Sequence, residues 1–228
     1  ADPGRSRELV ARAQAAGYTA IILTVDLSRL GYRQRDRRSG FRLTGLGNFP
    51  DVPPTHARGA HADGSLLEGN LEVGLSWADL ATIRGWSGLP LVLKGILSAD
   101  DAAIAVDHGV DAIVVSNHGA RQLDRTPAPI DLLPEVIDAV AGRLEVWVDG
   151  GVRRGLDIAI ALGLGATAVL VGRPIIWALA SGGQAGVARA LAILREEFEI
   201  ALALLGTPNP ASITRDHVRH ASSLPSTP

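Results

Sequence analysis

The chain has 228 residues, enough for one domain with a large core, and its 46% hydrophobic content and 26 glycines suit a compact α/β protein rather than a disordered one. The formal net charge is −2 with both signs mixed along the chain, which removes the electrostatic case for nucleic acid or an anionic membrane as partner. Cysteine is absent, which excludes disulfides, thiol catalysis and cysteine-ligated metal.

The chain opens on a charged stretch that reads as a helix approach, not as a signal peptide. A helix is predicted over 6–16 and a strand over 19–25. Residues 27–75 hold Gly, Pro, Asn, His and Asp without periodicity, and are predicted to be a flexible active-site loop. A helix over 76–85, opened by a Ser76 cap, leads to a strand over 89–93. Ser98-Ala-Asp-Asp101 resembles a capping box and starts a helix that ends near Gly109. A strand over 111–116, a helix over 130–140, a strand over 144–148, a helix over 154–162 and a strand over 166–171 follow. A long amphipathic helix, about 184–205, stops at Gly206. The tail after Pro208 is polar and proline-rich and is predicted to pack loosely. No apolar run reaches the length of a membrane span, and the expected location is cytoplasmic.

Each strand run is almost continuously apolar, the mark of parallel strands buried on both faces. Strand-to-strand steps as short as about 22 residues sit near the minimum for a βα unit. They favour a (β/α)8 TIM barrel over an open doubly wound sheet. A whole barrel takes about 250 residues or more. Five strands do not close one, and the first helix should follow an earlier strand. The expectation is one barrel domain over 1–228, N-terminally incomplete.

Active sites of βα barrels lie where strands end. Here the residues after the five runs are Thr24 and Asp26; Lys94; Ser116-Asn117-His118-Gly119-Ala120-Arg121-Gln122; Asp149-Gly150-Gly151-Val152-Arg153; and Gly172-Arg173. Singly each has a plain reading: Asp149-Gly150-Gly151 a turn, Gly172-Arg173 a helix start. Together the last two read as a phosphate grip, with glycine backbone amides and two arginine forks. Of the 22 basic residues only Lys94 is lysine, and it stands in the apolar run Leu91-Val-Leu-Lys-Gly-Ile96. Either it snorkels out at a strand end or its ammonium faces an anionic or electron-rich ligand. His118 is a candidate base, Asp26 a candidate partner for its imidazolium, and Arg121 a candidate carboxylate clamp. Arg33 is either a second clamp or a surface arginine. His56, His61, His108, His217 and His220 form no zinc-ligand spacing, and no metal is expected.

Ser116-Asn-His-Gly-Ala-Arg-Gln122 resembles the signature of the FMN-dependent 2-hydroxy acid dehydrogenases and oxidases, which include glycolate oxidase, lactate oxidase, mandelate dehydrogenase and flavocytochrome b2. The resemblance extends through Leu23-Thr-Val-Asp26, Leu30-Gly-Tyr-Arg33, Val92-Leu-Lys-Gly-Ile96, Val148-Asp-Gly-Gly-Val-Arg-Arg-Gly155 and Val171-Gly-Arg-Pro174, and Ile213-Thr-Arg-Asp216 is similar to the family's last helix. It implies FMN as cofactor and oxidation of a small L-2-hydroxy acid to the 2-keto acid. Oxygen, a quinone or a cytochrome would be the electron acceptor, and the assembly a homo-oligomer, by resemblance a tetramer. Thr24, Lys94 and Ser116 would contact the flavin ring or ribityl chain. Asp149, Gly150, Gly151, Val152, Arg153, Gly172 and Arg173 would hold the ribityl and phosphate groups. His118 would be the base paired with Asp26, with Arg121 and Arg33 on the substrate carboxylate. Ser28 departs from a common family proline. The five runs would be strands four to eight; the family's first three strands, which supply flavin contacts and usually a tyrosine pair, have no counterpart here. A non-catalytic barrel fragment and an FMN-dependent isomerase or other phosphate-binding barrel are the competing classes.

Overall fold

The computed structural model describes residues 3–41, 48 and 74–220. The strands β1 (Ile21–Thr24), β2 (Leu91–Ile96), β3 (Ala112–Val115), β4 (Glu145–Val148) and β5 (Ala168–Val169) form one sheet in chain order, every neighbouring pair parallel. A doubly wound sheet reverses its strand order at a switch point. This one does not, so right-handed crossovers carry the helices to a single face, as in a barrel.

The alternation of side chains splits the strands between two layers. Leu91, Leu93, Ile113, Val115, Val146 and Val148 form the main core with the helices α4 (Ala99–Asp107), α5 (Pro129–Val140) and α6 (Gly155–Gly163). Those helices contribute Ala102 and Ala105, then Leu133, Val136 and Val140, then Ala161. Burying each such branched side chain contributes roughly 1.5–3 kcal/mol. On the opposite face Val92, Ala112 and Val114 make a smaller cluster with Trp147 and Leu170. Followed toward the strand ends, that second face carries Lys94 two residues beyond Val92, Ser116 two beyond Val114 and Asp149 two beyond Trp147.

Several expectations are revised. Burial on both faces holds for β2 and β3 but not for the edge strands β1 and β5, which have one pairing partner each; Ile22 is 44% exposed. Within the helix predicted over 76–85 the α-helical part is α3 (Asp79–Arg84), entered through i→i+3 turns from Ser76 and Trp77; Asp79 reaches back to accept from the Ser76 hydroxyl at 2.7 Å and amide at 2.8 Å, the pattern of a start at Ser76. Those two bonds hold the Asp79 carboxyl below its ordinary range. Ser98 does cap α4, accepting from the Asp101 amide at 3.1 Å. The first helix, α1, spans Pro3–Ala15. A short helix α2 (Gln34–Ser39) lies inside the stretch predicted as loop, and its charged sequence has no apolar period to announce it. The rest of that predicted loop, 42–47 and 49–73, lies outside the described residues. The last helix, α7 (Arg173–Leu205), is broken at Gly182 and Gly183; the part after the break is the helix predicted over about 184–205 and stopping at Gly206, and the stretch from Arg173 to Ser181 before it is additional. The tail is not loose as far as residue 218: Ile213 is 7% exposed, packed with Ala159 and Ala201, between two 3-10 turns rather than in an α-helix. Among the described residues no helix is long and apolar enough to cross a membrane.

α6 docks on α7 through a carboxylate. Glu197 of α7 accepts from the Gly155 amide at 2.8 Å and from the Arg154 side chain at 3.1 Å. The backbone bond first, and Arg154 second, hold the Glu197 carboxyl below its ordinary range. A carboxyl depressed in the folded state stabilises above its unfolded value and loses that contribution as pH falls through the folded one. Glu197→Gln is therefore expected to melt below the parent near neutral pH, with the gap narrowing in acid. Circular-dichroism melts check this; a gap independent of pH would contradict it.

Candidate active site

Parallel strands deliver all their C-terminal ends to one rim. There the Lys94 ammonium donates to the Ser116 hydroxyl at 2.9 Å and faces the Asp149 carboxylate at 3.2 Å. The Lys94 and Asp149 side chains are each only 16% exposed. Lys94 therefore does not snorkel; its charge is turned inward. Asp149 is only half satisfied: its Oδ1 is buried with no hydrogen-bond partner. Thr24 is in register with Lys94 on the neighbouring strand and is not among the residues lining the two clefts described below.

The loop after β3 presents His118. The Ser116 hydroxyl accepts from the His118 amide at 3.1 Å, and Asn117 ties the turn by accepting from the Ala120 amide at 3.0 Å and donating to the Pro127 carbonyl at 3.3 Å. These bonds hold three successive left-handed residues, His118, Gly119 and Ala120, with φ of 56°, 66° and 58°. Non-glycine residues there are strained by about 1–3 kcal/mol each, and such strain clusters at functional sites. The turn brings His118 Nδ1 to 3.2 Å from Asp26 Oδ1, across from the loop after β1. Asp26 is 12% exposed, and its Oδ2 is likewise buried without a partner. Its approach depends on Gly95, which sits at the register break in β2 with φ 115°. A Cβ at Gly95 would lie 2.7 Å from Asp26 Cβ and 2.8 Å from Cγ. With Nδ1–H donating to Asp26, His118 keeps the Nε2 lone pair for a proton.

Two adjoining clefts open at the rim. One, about 340 Å³, is lined by Lys94, His118, Asp149, Arg153 and Arg173 together with Gly150, Gly151, Val152 and Gly172. A Cβ on Gly151 or Gly172 would meet nothing within 4 Å, so the space above those amides is open. The Arg153 amide donates to Asp157 at 2.7 Å, and its guanidinium donates to the Val152 carbonyl at 3.1 Å and lies 5.1 Å from the Trp177 ring centre. Arg173 donates to the Gly119 carbonyl at 3.0 Å and begins α7, whose first amides lack intrahelical acceptors. The second cleft, about 1140 Å³, shares Gly119, Arg121 and Arg173 with the first and adds Asp26 and Arg33. In it Arg33 donates to the Gln122 side chain at 3.2 Å, and Arg121 pairs with Asp36 of α2 at 3.3 Å. Both guanidinium groups thus line one cavity beside the histidine turn, and an anion reaching Arg121 competes with Asp36.

The residues singled out in the sequence, Thr24 apart, line these two clefts. Three further residues have roles that the sequence does not assign: Asp36, Gly95 and Gln122. Gly95 and Gln122 stand inside the quoted motifs, so their positions are visible there while their partners are not. Asp36 carries no signal beyond its charge.

Comparison with known proteins places these features. The profile of the FMN-dependent dehydrogenase family matches residues 1–220. An L-lactate oxidase of Nostoc sp. is 50% identical over 211 residues, 90% of this chain and 58% of that protein. The 2-Hydroxyacid oxidase 1 of Mus musculus is 49% identical over 222 residues, 94% of this chain and 60% of that protein. A mandelate oxidase structure with (S)-4-hydroxymandelic acid superposes with a TM-score of 0.86 at 42% identity, covering 94% of this chain and 61% of that one. Another mandelate oxidase structure, with a C4a-OH-FMN adduct, has a TM-score of 0.79 at 43% identity, covering 94% and 60%. The chain spans about three-fifths of the length of these relatives. It belongs to the FMN-dependent dehydrogenase family.

Proposed function

We propose that this rim binds FMN and a small L-2-hydroxy acid, and that the protein oxidises the acid to the 2-keto acid. The observation that carries the reading is the His118–Asp26 pair at 3.2 Å, set beside an inward-facing lysine and two arginine-lined clefts. The names of the relatives, lactate, hydroxyacid and mandelate oxidases, support the substrate class and support oxygen as electron acceptor. The five strands are then strands four to eight of an eight-stranded barrel.

The residues present fit FMN. The partnerless Asp149 Oδ1 calls for a hydrogen-bond donor, which a ribityl hydroxyl is. The open space over Gly151 and Gly172, flanked by Arg153 and Arg173, suits a phosphate group. Thr24, Lys94 and Ser116 would hold the ring and ribityl chain. Bound FMN supplies the two-electron acceptor, next to which the Lys94 ammonium stabilises negative charge. Arg33 and Arg121 bind the substrate carboxylate, with the Arg121–Asp36 pair opening to admit it. That clamp aims the 2-hydroxyl at His118, and Nε2 takes the hydroxyl proton. Asp26 stabilises the imidazolium so formed and fixes the tautomer that makes Nε2 the acceptor.

Anaerobic addition of L-lactate, glycolate or mandelate to the FMN-loaded protein is expected to bleach the flavin absorbance; a flavin band that none of a broad 2-hydroxy acid panel reduces would contradict the reading. His118→Gln should keep its flavin and slow that bleaching by about 10²–10⁴-fold, as loss of a general base does. Near-parental rates in that variant would remove His118 from the chemistry. Lys94→Met should weaken FMN binding about 10- to 100-fold, the scale of one charged hydrogen bond. An unchanged dissociation constant in a fluorescence titration would count against Lys94 as a flavin contact.

A further inference from the structure

Gln122 closes the histidine motif, yet the chemistry proposed above gives it no role. Its side-chain nitrogen donates to the main-chain carbonyls of Asp26 at 2.6 Å and Arg29 at 2.8 Å. Its side-chain oxygen accepts from the Gly31 amide at 3.4 Å and from the Arg33 guanidinium at 3.2 Å. A primary amide has two donor hydrogens and two acceptor lone pairs, so all four are engaged. The partners also fix its orientation: two carbonyls face the nitrogen and two N–H groups face the oxygen. Every partner lies on the segment after β1, at least 89 residues earlier in the chain.

That segment carries Asp26 and Arg33; the turn ending in Gln122 carries His118 and Arg121. The two also meet main chain to main chain. A Cβ at Gly31 would collide with the carbonyl oxygens of Arg121 and Gln122, so no other residue allows this approach undistorted. Arg33 adds a bond from its Nε to the Arg121 carbonyl at 3.4 Å.

We propose that Gln122 is a positioning residue: its amide staples the segment from Asp26 to Arg33 onto the histidine turn. The staple thereby sets the Arg33 guanidinium for the substrate carboxylate. The role of Arg33 in this statement rests on the function proposed above, whereas the staple itself does not. If Gln122 only filled space, Gln122→Glu would be harmless, since the two side chains have the same size. Electrostatics forbids it: an ionised carboxylate would turn an oxygen toward two carbonyl oxygens and donate to neither.

Two measurements test this. The first is hydrogen exchange across residues 26–38 in the protein without flavin or substrate. Gln122→Ala and Gln122→Glu are both expected to speed exchange there by roughly tenfold or more, the scale of losing one or more net hydrogen bonds, while leaving α5 unchanged. Parental protection in Gln122→Ala, or full protection restored by Gln122→Glu, would overturn the staple. The second is steady-state oxidation of a 2-hydroxy acid by the FMN-loaded protein. Gln122→Ala should raise KM roughly tenfold with FMN affinity kept, and should raise it less than about twofold when Arg33 is already alanine. Equal effects in both backgrounds would show that Gln122 does not act through Arg33 and would overturn that part of the proposal. Failure of the parent reading looks different: the loop is released by Gln122→Ala, but Arg33→Ala leaves KM unchanged. That result keeps the staple and removes the carboxylate role of Arg33.

Discussion

Because each strand pairs in parallel with the next one in the chain, every strand finishes at the same rim of the sheet. That register brings residues far apart in sequence within hydrogen-bonding distance. Asp26 and His118 meet although 92 residues separate them, and Lys94 meets Ser116 from the next strand and Asp149 from the one beyond it. The two-residue period of the strands then decides which side chains face inward. Val92, Val114 and Trp147 fill the lower part of the inner face, and Lys94, Ser116 and Asp149 follow one step higher. Apolar packing on the helix side fixes the register, since a slip by one residue would exchange the two layers. The position of the polar rim is thus a consequence of where the main core sits.

The inner face is costly as pure structure. Lys94 and Asp149 are mostly withdrawn from water, and one oxygen of Asp149 beside Lys94, like one of Asp26 beside His118, is buried without a partner. A half-satisfied polar cluster destabilises a fold relative to an apolar one. The strained His118-Gly119-Ala120 turn adds to that cost. Costs of this kind, concentrated at the mouth of two clefts, suit a surface completed by a ligand that carries hydroxyl donors and a phosphate. Use of lysine here, in a chain otherwise supplied with arginine, fits a compact ammonium placed in a narrow interior where a planar guanidinium would not fit as readily.

Strand positions were legible because β-branched apolar runs between glycine and polar breaks have few other readings, and the rim residues followed from where those runs stop. Less was legible where structure depends on partners distant in sequence. α2, with its charged sequence, has no apolar face to announce it. The part of α7 before its break has start signals in Gly172-Arg173 and in Pro174 at its first turn, but Gly182 and Gly183 hide its continuation into the longer helix. Ile213 looked like part of a loose tail because its burial depends on α6 and α7 together. Among site residues, His118, Asp26, Lys94 and the arginines could be named from chemistry and motif alone. Gln122, Gly95 and Asp36 could not be given roles, since each role is a contact with one particular atom elsewhere in the chain. A glycine needed to admit Asp26 reads in sequence like any glycine.

The central claim is that one rim holds the FMN phosphate at one end and a 2-hydroxy acid at the other. A crystal structure of the protein with FMN and an unreactive 2-keto acid tests it most directly. The phosphate is expected against Arg153 and Arg173, a ribityl hydroxyl on Asp149, and the acid's carboxylate between Arg33 and Arg121 with its 2-oxygen at His118 Nε2. Flavin density elsewhere, or a carboxylate bound away from both arginines while Arg121 stays on Asp36, would contradict it.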